Sequence, residues 1–320
     1  MGWISARRFL RTRQERALTR SPGSAASNRT DPATLAILHA VREELRPRPA
    51  LHHPISVCLV SGKGGTGKTT VAASLARRFA RRRRTLLVDA DMGMANAHIL
   101  QDVTPRQTLV DVVEGRSSVR EVLVPVLADL QLVSGGSGFP HMAELSGAQI
   151  ELIARGLDEL ESELDMVLVD SAAGISNQTL AFASASDLVV LITTPELTSM
   201  TDAYAFLKAF YRCRPDGEVH LLVNRARTDG AADHAASRIL EVSRRFLQRS
   251  PAWVSSLPED PSAFSCAQRR RPVVSEQPDS SLGRGLMELE DLILEEVAEL
   301  RPRGLGRGLV AHFPEQRQQN

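Results

Sequence analysis

The sequence predicts an α/β fold: a doubly wound, mostly parallel sheet with helices on both faces. Three observations carry that prediction. Short runs that are apolar at nearly every position alternate with longer segments of helical period between residues 55 and 255. Strands of that kind are buried on both faces, as in a parallel sheet covered by helices. A Gly-rich stretch, residues 61–70, separates the first apolar run from the first helical segment. Three apolar runs end in a short polar residue, Asp89, Asp170 and Asn224, at the strand ends where open α/β sheets bind ligands.

The elements follow in order. Residues 1–50 read as a basic, partly disordered extension with ten Arg against four acids. Residues 1–20 lack the apolar core of a secretory signal; their Arg-rich, acid-poor character suits a transit peptide, an over-long start or a basic tail alike. Residues 31–45 form a short predicted helix, with Asp31 to cap it, Pro32 in its first turn and Leu35, Leu38, Val41 and Leu45 at helical spacing. The folded domain is expected over 51–300. Its predicted strands are 55–60, 85–88, 130–133, 166–169, 188–193, 219–223 and a short 253–255; its predicted helices are 68–81, 148–164, 201–211, 233–248 and 282–300. Residues 301–320 are expected to be a flexible basic tail.

Composition excludes several classes. The chain has 320 residues, 42% of them apolar, which excludes a disordered chain. No run of 18 apolar residues exists to span a membrane as a helix. Three scattered cysteines, Cys58, Cys213 and Cys266, make neither a disulfide framework nor a zinc site and suit a reducing cytoplasm. A net charge of +1 exerts no general pull on nucleic acid. Of 39 basic residues only three are Lys, and two of those, Lys63 and Lys68, lie in the Gly-rich loop. Where Arg is so dominant, a retained Lys points to a need for a compact ammonium.

Ser61-Gly-Lys-Gly-Gly-Thr-Gly-Lys-Thr-Thr70 follows a strand and opens a helix, the context of a phosphate loop. Gly62, Lys63, Gly64, Gly65, Thr66, Gly67, Lys68, Thr69 and Thr70 are the candidate nucleotide-binding residues. Backbone N–H groups there form a nest for phosphate oxygens, aided by the helix N-terminus. Lys68 is placed to reach the β- and γ-phosphates and Thr69 to put its hydroxyl on Mg²⁺. Lys63 is poorly placed to reach its own γ-phosphate, whereas a partner subunit's nucleotide, facing it across a two-fold axis, could accept it. Leu87-Val-Asp-Ala-Asp-Met-Gly-Met-Ala-Asn96 offers Asp89 and Asp91 at a strand tip, and Val167-Leu-Val-Asp-Ser-Ala-Ala-Gly174 offers Asp170. A site that hydrolyses a nucleoside triphosphate needs carboxylates to hold hydrated Mg²⁺ and to orient water.

The loop with its early Lys63 resembles the deviant Walker A of the MinD/ParA superfamily of P-loop NTPases. Thr194-Pro-Glu-Leu-Thr-Ser-Met-Thr-Asp-Ala-Tyr-Ala-Phe-Leu-Lys208 closely resembles a segment of the FlhG family, also called FleN or YlxH, as do Asp170-Ser-Ala-Ala-Gly-Ile-Ser176 and Asp89-Ala-Asp-Met-Gly-Met-Ala-Asn96. That family consists of MinD-like ATPases that control flagellar number and placement. The resemblance spans about residues 53–300, with Leu197 where the family often has Pro. It implies ATP and Mg²⁺ as ligands, with Lys63, Lys68 and Asp91 as the catalytic set. Asp91 orients the attacking water, Thr69, Asp89 and Asp170 serve the metal, and Asn224 contacts adenine. It also implies an ATP-dependent homodimer in which Lys63 acts in trans, slow hydrolysis, and partners such as an FlhF-type GTPase, a flagellar transcription regulator or switch-complex proteins. The location implied is cytoplasmic, with peripheral membrane contact as an option.

Two departures bear on partners. Asp31-Pro-Ala-Thr-Leu-Ala36 matches only in part the family segment that acts on FlhF. The helix expected over 282–300 has an apolar face, but its six acids oppose an anionic bilayer, so packing on the domain is expected. The pentapeptide Leu-Gly-Arg-Gly-Leu occurs at 282–286 and 305–309; it resembles a ParB segment that engages ParA partners, and reads here as coincidence in a Gly/Arg-rich chain. Competing readings are a ParA-type partition ATPase, for which Arg244, Arg245, Arg249 and Arg269–Arg271 would have to track DNA, and a non-hydrolysing nucleotide-dependent adaptor. Binding of DNA is not expected.

Overall fold

The computed structural model describes residues 53–137 and 145–312. The expectations for residues 1–50 and 313–320 lie outside them. Eight strands form one sheet: β1 (Ile55–Ser61), β2 (Thr85–Ala90), β3 (Val124–Leu127), β4 (Leu130–Val133), β5 (Met166–Ala173), β6 (Leu188–Thr193), β7 (Val219–Ala226) and β8 (Trp253–Pro258). Their order is β3-β4-β2-β5-β1-β6-β7-β8. Every neighbouring pair is parallel except β3–β4 at one edge.

Alternation along each strand decides the layering. Val57 and Leu59 of β1 enter one core cluster, with Leu87, Leu168, Val190 and Ile192. Cys58 and Val60 enter the other, with Leu86, Val88, Val167, Val169 and Leu191. The first cluster is closed by α1 (Lys68–Phe79), with α2 (Ala97–Leu100) contributing Ala97. The second is closed by α3 (Leu109–Val113), α4 (Gly147–Glu161), α5 (Asn177–Ala185), α6 (Leu197–Cys213) and α7 (Asp229–Leu247). Returning to the first face, α8 (Pro261–Gln268), α9 (Val273–Glu276) and α10 (Ser281–Val297) add Cys266, Val273 and an apolar stripe.

That stripe is Leu282, Leu286, Leu289, Ile293 and Val297, all buried against the α1 side of the sheet. Its neighbour Glu290 pairs with Arg78 of α1. The expected packing of this helix on the domain is what the structure contains.

The tail differs from expectation. Rather than remaining flexible beyond residue 300, the chain forms α11 (Leu305–His312) against α4 and α5. Leu305 and Leu309, four apart on one helix face, are fully buried. Gly306 lets the backbone close in: a Cβ there would lie 2.5 Å from the Ala154 carbonyl oxygen. Its N–H donates to Glu161 Oε1 at 2.8 Å. Arg303, just before, donates its N–H to Asp187 Oδ1 at 3.1 Å. Both copies of the repeated pentapeptide thus bury two Leu against the domain.

Candidate nucleotide-binding site

Strand order assembles the site. With β5 between β2 and β1, the carboxyl ends of three strands lie side by side, and Asp89 and Asp170 face each other in register. The loop after β1 leads directly into α1, whose N-cap is Gly67 at φ 88°. That left-handed backbone favours glycine, and a Cβ there would overlap the Asn224 side chain. No side chain caps the first turn of α1, so its N–H groups are left for an anion.

Lys68 is buried, and its Nζ donates to Asp170 Oδ1 at 2.6 Å. Burial alone would lower the Lys68 ammonium; the Asp170 carboxylate outweighs it and holds the group above the usual lysine range. The other Asp170 oxygen, Oδ2, is buried without a partner, as is Thr66 Oγ1. Such orphans are unusual in folded proteins, and here they sit beside a loop suited to phosphate. Thr69 and Thr70 open the helix, partly exposed. An uncapped helix start, a buried ammonium and an unpaired buried carboxylate oxygen together fit a Mg²⁺-nucleotide.

Asp89 is fully buried, and its carboxylate accepts from the N–H groups of Asp91 (3.2 Å), Asn96 (2.9 Å) and Ala97 (2.9 Å). Burial first, then the nearby Asp170 carboxylate, push its proton affinity up. Asp89 therefore braces the loop that carries Asp91, a task that spacing alone did not indicate. Asp91 accepts from the Met94 N–H at 3.2 Å and is partly exposed. Asn224 donates from Nδ2 to the Thr66 carbonyl at 2.7 Å, tying β7 to the phosphate loop.

Lys63 is drawn away from this cluster. Its Nζ donates to Glu196 Oε2 at 3.1 Å and to Thr198 Oγ1 at 3.0 Å, at the exposed start of α6. Gly62, Gly64 and Gly65 line the outer turn of the loop, the last two exposed.

Sequence reasoning passed over four residues. Glu196 and Thr198 stood in the quoted 194–208 stretch without a role. Gln178 had no motif to mark it. Arg225, at φ 56°, reaches the Gly65 carbonyl at 3.4 Å and pairs with Glu259; its only sequence signal was its place after Asn224.

Comparison with known proteins bears on this geometry. The model of the CobQ/CobB/MinD/ParA nucleotide binding domain matches residues 57–292. The antiactivator FleN of Pseudomonas aeruginosa is 36% identical over 71% of this chain and 82% of its own length. The chain belongs to the FlhG/FleN/YlxH family of MinD-like ATPases. Another member, the flagellum site-determining protein YlxH of Helicobacter pylori, is 31% identical over 60% of this chain and 65% of its own. The septum site-determining protein MinD of Pyrococcus horikoshii, solved with Mg-ADP, shares the fold. It is 22% identical with a TM-score of 0.63, covering 78% of this chain and 99% of that one. Membership in this MinD-like family places the protein in the ATP-hydrolysing class. Among the described residues, no helix is long and apolar enough to cross a membrane.

Proposed function

We propose that the protein is an ATP-driven dimerisation switch that controls flagellar number or placement through partner binding. The supporting observation is the disposition of the two loop lysines. Lys68 turns inward to Asp170, whereas Lys63 turns outward to exposed Glu196 and Thr198. An ammonium directed outward from the phosphate loop supports a role toward the nucleotide of a second copy across a two-fold axis.

In this reading the backbone of 62–67 and the start of α1 bind the phosphates, and Lys68 exchanges Asp170 for the β- and γ-phosphates. Asp170 and Thr69 would hold Mg²⁺, with Asp89 supporting its hydrated shell, and the bound ion would supply positive charge against that developing on the phosphates. Asp91 orients water in line with the γ-phosphate. Asn224 and its neighbours lie at the adenine end. Hydrolysis is slow because each site is completed by the partner's Lys63, and it resets the switch rather than making product. The names of the relatives, an antiactivator and a flagellum site-determining protein, support a regulatory partner, such as a transcription regulator, an FlhF-type GTPase or a component of the flagellar switch.

Sedimentation of the full chain with ATP, with ADP and without nucleotide tests the switch. The expected result is a dimer with ATP alone. A monomer under all three conditions would remove the proposal.

A further inference from the structure

Asp91 lies on a short loop, yet orienting a water demands accurate placement. Its support comes from two directions. From α5, the buried Gln178 donates Nε2 to the Ala90 carbonyl at 2.7 Å. Ala90 is the residue between Asp89 and Asp91, so this bond fixes the end of β2 at the point where the loop departs. From the turn after β4, Gly135 lies flush on the same backbone. A Cβ on it would be 2.6 Å from the Asp89 carbonyl oxygen and 3.0 Å from that of Asp91. The turn continues the contact: Ala95 N–H donates to the Gly136 carbonyl at 3.2 Å, and Met94 bridges to Ser137.

The Gln178 amide is an unusual choice for packing alone. Its Oε1 is buried without a partner, a costly condition that an apolar side chain would avoid. Its donor is therefore the part that the fold uses. Gln178 also stands four residues after Gly174, whose N–H donates to the Ser61 carbonyl at 2.8 Å, at the start of the phosphate loop. The segment from 174 to 178 thereby ties the phosphate loop to the base of the Asp91 loop.

We propose that Gln178 and Gly135 are positioning residues for hydrolysis, clamping the Asp89–Asp91 backbone so that Asp91 is presented in one place. This rests on the reading of Asp91 as the water-orienting residue. Each acts through the backbone of the loop, Gln178 at the Ala90 carbonyl and Gly135 at those of Asp89 and Asp91.

The test uses the full chain with Gln178→Ala, Gln178→Glu, Gly135→Ala, Asp91→Ala and the Asp91→Ala/Gln178→Ala double variant. Steady-state ATP hydrolysis with Mg²⁺ gives kcat and KM, and calorimetry gives ADP affinity. Gln178→Ala and Gly135→Ala should each lower kcat by roughly 10- to 100-fold, leaving KM and ADP affinity unchanged. Gln178→Glu should recover relative to wild type as pH falls, because only the protonated carboxyl donates to the Ala90 carbonyl. The double variant should be no slower than Asp91→Ala. Wild-type kcat in Gln178→Ala, or ADP affinity lost in step with kcat, would overturn the clamp. Should Gln178→Ala not fold, Gly135→Ala and the pH response of Gln178→Glu decide the matter. Wild-type turnover in Asp91→Ala would overturn the reading of Asp91 itself, a failure distinct from that of the clamp.

Discussion

Lys68 and Asp170 form a buried ion pair. In the proposed function the ammonium exchanges this carboxylate for phosphate when nucleotide binds. A charge-assisted contact of this kind is worth about 1.5–3 kcal/mol, so Lys68→Ala should weaken binding of Mg-ATP by roughly 10- to 100-fold, read by calorimetry. Unchanged affinity would detach the loop from phosphate binding. Asp91→Ala should bind ATP as before and hydrolyse it at least about 100-fold more slowly, accumulating as the ATP form. Both lysines and all three aspartates were marked in the sequence, because each lies in a short motif whose own spacing is the signal. Glu196, Thr198 and Gln178 were not. Glu196 and Thr198 meet Lys63 of the phosphate loop, and Gln178 the end of β2, from distant stretches of chain that only the strand order brings together.

Helices that read clearly in the sequence were those with one apolar face and one charged face. In α10 the stripe from Leu282 to Val297 is buried and the acids other than Glu290 are exposed. Leu289→Ala or Ile293→Ala should therefore lower unfolding free energy by about 2–5 kcal/mol, measured by urea denaturation of the full chain; a helix held for a membrane would leave it unchanged. By contrast α5 went unread. Its residues 178–183 are all buried, so no polar face marks a period. Strand β3 was missed because it is only four residues long, contains Pro125 and buries no side chain fully, as the antiparallel edge. The helix α11 was hidden by two glycines and an Arg-rich surround, features that read as a tail. Its glycines serve contact instead. Gly306→Ala or Leu305→Ala should lower the denaturation midpoint; if α11 contributes no stability, neither will.

At the scale of the whole molecule, the sheet order β2-β5-β1 turns three separate motifs into one cluster, and the order β1-β6 brings the start of α6 beside the phosphate loop. The alternating pattern of apolar runs was enough to foresee the parallel sheet, while the lateral order of its strands follows from how helices cover the two faces. In the proposed switch Lys63 serves a partner's nucleotide. Mixing Lys63→Ala with Asp91→Ala, each expected to be inactive alone, tests that role. In the mixed dimer, one site combines an intact Asp91 with the partner's intact Lys63. Formation of that dimer is checked by sedimentation, and ATP hydrolysis of the mixture is compared with each variant alone. The mixture should regain turnover that neither variant has alone; a mixed dimer that forms and remains inactive would contradict the trans role of Lys63.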